Sequence, residues 1–302
     1  MGETRRIIIP VMGMTKAGKS SFINKAASLP KEKQAELEVG ANLAPCTKKL
    51  QDIETEGLLS EYPSLMRHRL VFVDTPGFDD DEFSDYELLQ FIADHLKESY
   101  RNGDLLGGVL YLHDISRDGF TGTPKKNLKL FDRLCGENSM FKVVLVTTKW
   151  GRQTAEDDYG KREKELEDVH WASLIASGAI TMRLTKPDNA SAIEVVNEVL
   201  RRYVEPESRG RRLQDQILQI QRELVAEKKY LRQTEAAKAL REELEKLQDI
   251  EAKLQRAESE GGAKIEDLKA RDDKAGQLER QIAEFKLNIA QRAGSILKRW
   301  FR

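Results

Sequence analysis

Gly13-Met14-Thr15-Lys16-Ala17-Gly18-Lys19-Ser20 fits the pattern G-x-x-x-x-G-K-[ST], a phosphate-binding loop, and its flanks decide the fold. Upstream, Arg5-Arg6-Ile7-Ile8-Ile9-Pro10-Val11-Met12 is a β-branched apolar run, expected to be a buried strand. Downstream, Ser21 to Ala27 has helical composition. Strand, loop and helix thus come in the order the motif requires. Gly13 and Gly18 let the backbone come close to an anion, so that N–H groups between Gly13 and Ser21 point at a β-phosphate. Lys19 is then placed between the β- and γ-phosphates, and the Ser20 hydroxyl is placed to ligate Mg²⁺.

The next motif outward is Asp74-Thr75-Pro76-Gly77, a D-x-x-G at the end of the apolar run Arg69–Asp74. Alone it is ordinary turn chemistry. Following a phosphate loop and ending a strand, it reads as a Mg²⁺ carboxylate at Asp74 and a γ-phosphate amide at Gly77. Thr47, in the intervening loop, is the candidate switch threonine that completes the metal shell, so the metal set is Ser20, Thr47 and Asp74.

A base-reading loop is expected after the strand Phe141–Thr147. There Thr147-Thr148-Lys149-Trp150-Gly151 resembles N/T-K-x-D, with Thr148 and Lys149 in register. Gly151 stands where the aspartate that pairs with guanine belongs, so GTP and ATP both stay open. Lys149 is expected to flank the base with its stem, and Trp150 either stacks on it or packs in the core. Phe78, the residue after Gly77, has no hydrogen-bonding group to orient water, and slow intrinsic hydrolysis is expected. Lys16 either folds over the β,γ-bridge as a cationic finger or points to solvent. Asp114 ends a strand on the ligand side and is expected to cap the following turn.

Around these motifs, strand-like and helix-like runs alternate up to about residue 204, which predicts an α/β fold: a doubly wound, mostly parallel sheet. An edge strand is expected over Lys48–Glu54, a buried strand over Gly107–Leu112 and a short strand over Ala179–Leu184. Helices are expected from the acidic run Asp79–Glu82 to about Tyr100, and over Pro124–Cys135, Tyr159–Ala176 and Ser191–Tyr203. Two domains follow: 1–204, and a helical arm over 205–302. In the arm, apolar residues recur at Leu213, Ile217, Ile220, Leu224, Leu231, Leu240, Leu244, Leu247 and Leu254. That spacing reads as a coiled-coil seam. Gly261-Gly262 interrupts it, and a second stripe runs from Ile265 to Ile296, giving either a hairpin or pairing with another copy of the chain.

The 302 residues carry a formal net charge of −1, which directs the chain to neither nucleic acid nor membrane. The two cysteines, Cys46 and Cys135, are too few for a disulfide framework and suggest a reducing, cytoplasmic setting. The four histidines lack ligand spacing. No apolar run is long enough to cross a bilayer. The tail Ile296–Arg302 joins bulky apolar groups to three cations, so it either touches an anionic surface or closes the helical hairpin.

With these motifs in place, about two-thirds of the chain resembles the septin-like GTPases that include the immunity-associated and avirulence-induced families. The similarity is greatest to fungal G-domain P-loop nucleoside triphosphate hydrolases. The stretches that carry it are Ile9 to Phe22, Asp74 to Asp80, Gly108 to His113, Asn127 to Gly136, and Val144 to Trp150. The resemblance implies a P-loop G domain, GTP/GDP with Mg²⁺, and nucleotide-dependent homodimerisation or assembly. It carries over Gly13, Lys19, Ser20, Thr47, Asp74 and Gly77. Lys16 also falls where guanylate-binding proteins place a cis finger, by analogy only. The expected function is a slow GTPase switch. The alternatives are a coiled-coil scaffold with a non-hydrolysing site and a P-loop ATPase.

Overall fold

The computed structural model describes residues 4–28, 50–55, 57–78, 84–117, 119–120, 123–154, 157–208 and 217–259. The apolar run before the phosphate loop forms β1 (Arg6–Gly13), and Lys19–Ala26 forms α1. Then follow β2 (Gln51–Thr55), β3 (Arg69–Asp74), α2 (Asp85–Arg101), β4 (Leu105–Leu106) and β5 (Val109–Asp114). The order continues with α3 (Thr123–Cys135), β6 (Val143–Thr148), α4 (Tyr159–Glu165), α5 (Ala172–Ala176), β7 (Ile180–Arg183) and α6 (Asn189–Ser208).

The sheet order is β2-β3-β1-β5-β6-β7, with β4 paired to β1 off that path. All pairings are parallel except β2 with β3. A parallel sheet needs cover on both faces, which is why β1, β5 and β6 read as continuous apolar runs rather than alternating ones. Alternate β5 residues face opposite ways. Leu110 and Leu112 join α1 and α6 on one side, while Val109 and Tyr111 join α2 and α3 on the other. The C-terminal ends of β1, β3, β5 and β6 converge on one edge, where doubly wound folds bind ligands.

Three expectations shift. α2 starts at Asp85, where Ser84 and Glu87 form a reciprocal capping box, and the acidic run expected to open it lies outside the described residues. The expected helix Tyr159–Ala176 is split by a π-turn at Leu166–His170, where the Trp171 amide donates to the Leu166 carbonyl. That wide turn carries the Trp171 indole into the core, where it is fully buried. And α6 runs from Asn189 to Ser208, past the end expected at Tyr203.

The arm meets a different partner from the one its seam suggests. Gln219–Gln221 is a short helix (α7), continued by a π-turn at Arg222–Ala226, and Glu235–Ser259 is α8. Ile220, Leu224, Leu240 and Leu244 are buried in the same core cluster as α2 and α3. The Gln221 side-chain amide donates to the Leu96 carbonyl on α2, and Lys129 on α3 pairs with Glu242 and Glu243 on α8. Helical spacing fixes that one face is buried, not which surface buries it. The second stripe, the break at Gly261-Gly262 and the tail lie outside the described residues.

Candidate nucleotide site

The loop between β1 and α1 is organised by its carbonyls. Lys19 Nζ donates to Gly13 O (3.2 Å) and Met14 O (3.0 Å). The Thr15 carbonyl accepts from Arg117 (3.2 Å), and the Ala17 carbonyl accepts from the Thr148 hydroxyl (2.9 Å). The Gly18 carbonyl accepts the Phe22 amide at 2.8 Å. In a trans peptide the N–H points away from the C=O, so the hold of Arg117 and Thr148 on the Thr15 and Ala17 carbonyls turns the Lys16 and Gly18 amides the opposite way. That is an anion nest at a helix N-terminus. Two positive-φ residues make the curvature: Gly18 at 98°, and Lys16 at 64°. Lys16 is exposed and Lys19 is buried.

Two glycines are fixed by close approach. A Cβ on Gly13 would lie 2.2 Å from the Leu112 carbonyl oxygen. One on Gly77 would lie 2.1 Å from Thr15 Oγ1 and 2.4 Å from Thr15 N. The D-x-x-G turn is therefore laid directly on the phosphate loop. Its Thr75 hydroxyl donates to the Val11 carbonyl (2.8 Å), and the Phe78 amide reaches the Gly13 carbonyl (3.4 Å). Phe78 itself points into the core at 2% exposure.

The structure brings two of the three expected metal residues together. Ser20 Oγ donates to Asp74 Oδ2 at 2.6 Å, and Asp74 is fully buried at the end of β3. One hydroxyl and one carboxylate beside a phosphate cradle suit Mg²⁺, which keeps most of its waters and takes phosphate oxygens for the rest. Thr47 lies outside the described residues. No cluster of three or more His, Cys, Asp or Glu ligands exists among the described residues.

At the base end, Lys149 is left-handed (φ 65°), and its ammonium pairs with Asp114 at 2.6 Å. Asp114 also accepts from the Ser116 amide (3.0 Å) and hydroxyl (2.6 Å), capping its turn as expected. Burial alone would raise the Asp114 pKa, but the bonds from Lys149 and Ser116 outweigh it and hold the carboxyl below its ordinary value. Burial draws the Lys149 ammonium below its ordinary value despite Asp114. The Trp150 indole N–H is within reach of the Thr147 carbonyl (3.3 Å) and hydroxyl (3.1 Å), and Arg183 lies over the ring at 4.5 Å. This is the packed arrangement. Gly151 is exposed, with nothing within 4 Å of where a Cβ would stand.

Three other acidic groups described near this loop are engaged elsewhere. Asp157 binds Thr154 and Arg162, Asp158 caps α4, and Glu163 binds Thr147 and Arg183. Arg117 is the residue that motif reading missed. Its only sequence signal is its place in the loop after β5, at the ligand-binding edge.

Strand order, amide nest and the Ser20–Asp74 pair define the class: a P-loop nucleotide-binding domain. Residues 8–149 match the family model described as 50S ribosome-binding GTPase, and this segment is a GTP-binding G domain. No curated protein matches the chain. Among solved structures it is similar to Toc33 from Arabidopsis thaliana in complex with Mg²⁺ and GMPPNP, at 16% identity, over 66% of this chain and 85% of that one, with TM-score 0.47. Another similar chain comes from a structure described by the statement that dimerization is important for the GTPase activity of chloroplast translocon components atToc33 and psToc159. It shows 14% identity over 66% of this chain and 83% of that one, with TM-score 0.48. Era from Aquifex aeolicus, bound to GDP and AlF₄⁻, shows 15% identity, 66% and 57% coverage, and TM-score 0.40.

Proposed function

We propose that the chain is a slow, Mg²⁺-dependent GTPase whose nucleotide state controls self-association. The observation that carries the reading is the phosphate loop itself: its carbonyls are tied to Lys19, Arg117 and Thr148, and Gly77 is seated on Thr15. Lys19 and the loop amides would hold the β- and γ-phosphates, and Ser20, Asp74 and Thr47 would hold the metal. Magnesium, when bound, would neutralise charge building on the phosphates. Gly77 would present its amide to the γ-phosphate, a contact that hydrolysis would remove.

Slowness follows from Phe78, whose ring is buried and orients no water. Lys16, at the exposed lip of the loop, is the candidate charge-neutralising finger. The septin-like and fungal G-domain likeness, and a cytoplasmic homodimer or homo-oligomer formed through the G domain and the helical arm, belong to the same proposal. A second reading, a nucleotide site with weak base preference that also turns over ATP, is favoured by Gly151 and its open surroundings.

Two measurements test the proposal. Turnover of GTP and ATP by the full chain should be below ~1 min⁻¹ and should favour GTP. Light scattering should give a larger particle with a non-hydrolysable GTP analogue than with GDP. Equal particle size in both states removes the switch. ATP turnover above GTP turnover supports the second reading instead.

A further inference from the structure

Outside every motif, the Arg117 guanidinium lies against the phosphate loop, 3.2 Å from the Thr15 carbonyl and 3.4 Å from Met14 Sδ. Its own position is built. The Arg117 amide donates to the Asp114 carbonyl (3.2 Å), and the Asp114 carboxylate holds the turn through Ser116 while pairing with Lys149. The Ile115 amide donates to the Thr148 carbonyl (3.2 Å), locking the turn to the end of β6. The Thr15 carbonyl belongs to the same peptide unit as the Lys16 amide, and no cis peptide occurs among the described residues. Drawing that carbonyl towards Arg117 turns the Lys16 N–H the opposite way.

We propose that Arg117 is a positioning residue of the nucleotide site, fixing the Thr15–Lys16 peptide so that the Lys16 amide meets the γ side of a bound triphosphate. The γ side is indicated by Gly77, whose backbone lies directly against Thr15. A guanidinium is suited to the task because it keeps its charge and polarises the peptide it binds, strengthening the amide as a donor. The inference rests on the proposed nucleotide-binding function. It adds a link between the two ends of the cleft: Lys149 at the base end and Thr15 at the phosphate end are joined through Asp114 and Arg117.

The test uses full-length protein and three forms: wild type, Arg117→Met and Arg117→Lys. Affinities for GDP and for a non-hydrolysable GTP analogue are measured by fluorescence titration, with thermal unfolding alongside. Arg117→Met is expected to lower the triphosphate-to-diphosphate affinity ratio by ~10-fold, the value of one charge-assisted contact. Arg117→Lys, which keeps a charged donor, should recover most of it. Where GTP turnover is measurable, kcat should fall in Arg117→Met by more than KM changes. An unchanged ratio in Arg117→Met overturns the positioning role, as does an equal loss for both nucleotides together with lowered thermal stability. A wild type that binds neither nucleotide overturns the nucleotide-binding reading itself, and this inference with it.

Discussion

The phosphate end and the helical arm are both built from short, strongly patterned stretches, yet they differ in what the pattern determines. At the phosphate end, residue type and chemistry coincide: Lys19, Ser20 and Asp74 come together because each has few other things it can do there. In the arm, the repeat of Ile220, Leu224, Leu240 and Leu244 requires a dry partner and is indifferent to its identity. α2 and α3 offer that partner within the same chain. A site motif therefore names its ligand class, whereas an amphipathic stripe names only its need for burial.

Changes at the two ends should separate cleanly, and the largest effect belongs to the phosphate end. Lys19→Ala should weaken GTP binding by at least ~100-fold, about 3 kcal/mol, because a buried cation that ties the loop and would meet the phosphates is lost. Fluorescent-nucleotide titration reads this, and circular dichroism should stay close to wild type. In the arm, Leu240→Ala should cost the whole domain ~3 kcal/mol in urea unfolding while leaving nucleotide affinity within ~3-fold. An arm standing free of the G domain would give no such loss, so this variant decides between the two partners for the stripe.

These two variants also mark how far the sequence could be read. β1, β3 and α1 were legible nearly to the residue, since a buried parallel strand and a phosphate loop leave narrow choices. The Ser84 cap was hidden by the acidic run before it. The π-turn ahead of Trp171 was invisible because a helical pattern carries no mark for one inserted residue. Arg117 escaped because its role depends on a hydrogen bond across 102 positions of sequence, which no local spacing encodes.

A pH-dependent contrast of similar size concerns His113, at the site edge of β5 but turned into the core. Its ring lies 5.5 Å from Phe120 and 5.9 Å from Trp171. Burial lowers its pKa from 6.5 to about 4, only partly offset by the Asp114 charge. The unfolded chain therefore takes up this proton first. Stability is full above pH 6.5, falls as the pH drops towards about 4 and levels off below it, for a loss of ~3 kcal/mol. Urea unfolding between pH 7 and pH 4 measures it, and His113→Phe should flatten that part of the profile.

The smallest expected effect sharpens the base end alone. Gly151→Asp has room for its side chain and should raise GTP preference over inosine triphosphate by ~10-fold, about 1.4 kcal/mol. Competition titrations with the two nucleotides would show it. A variant no more selective than wild type would place base reading elsewhere in the cleft.

The central claim is that loop amides, Lys19, Ser20 and Asp74 grip a magnesium triphosphate at the C-terminal edge of the sheet. Isothermal titration calorimetry of the full chain with a non-hydrolysable GTP analogue, with and without Mg²⁺, addresses it most directly. The account predicts one saturable site per chain that is clearly weakened when Mg²⁺ is removed and abolished by Lys19→Ala. No binding by wild type at millimolar nucleotide, or binding unaltered by Lys19→Ala, would contradict it.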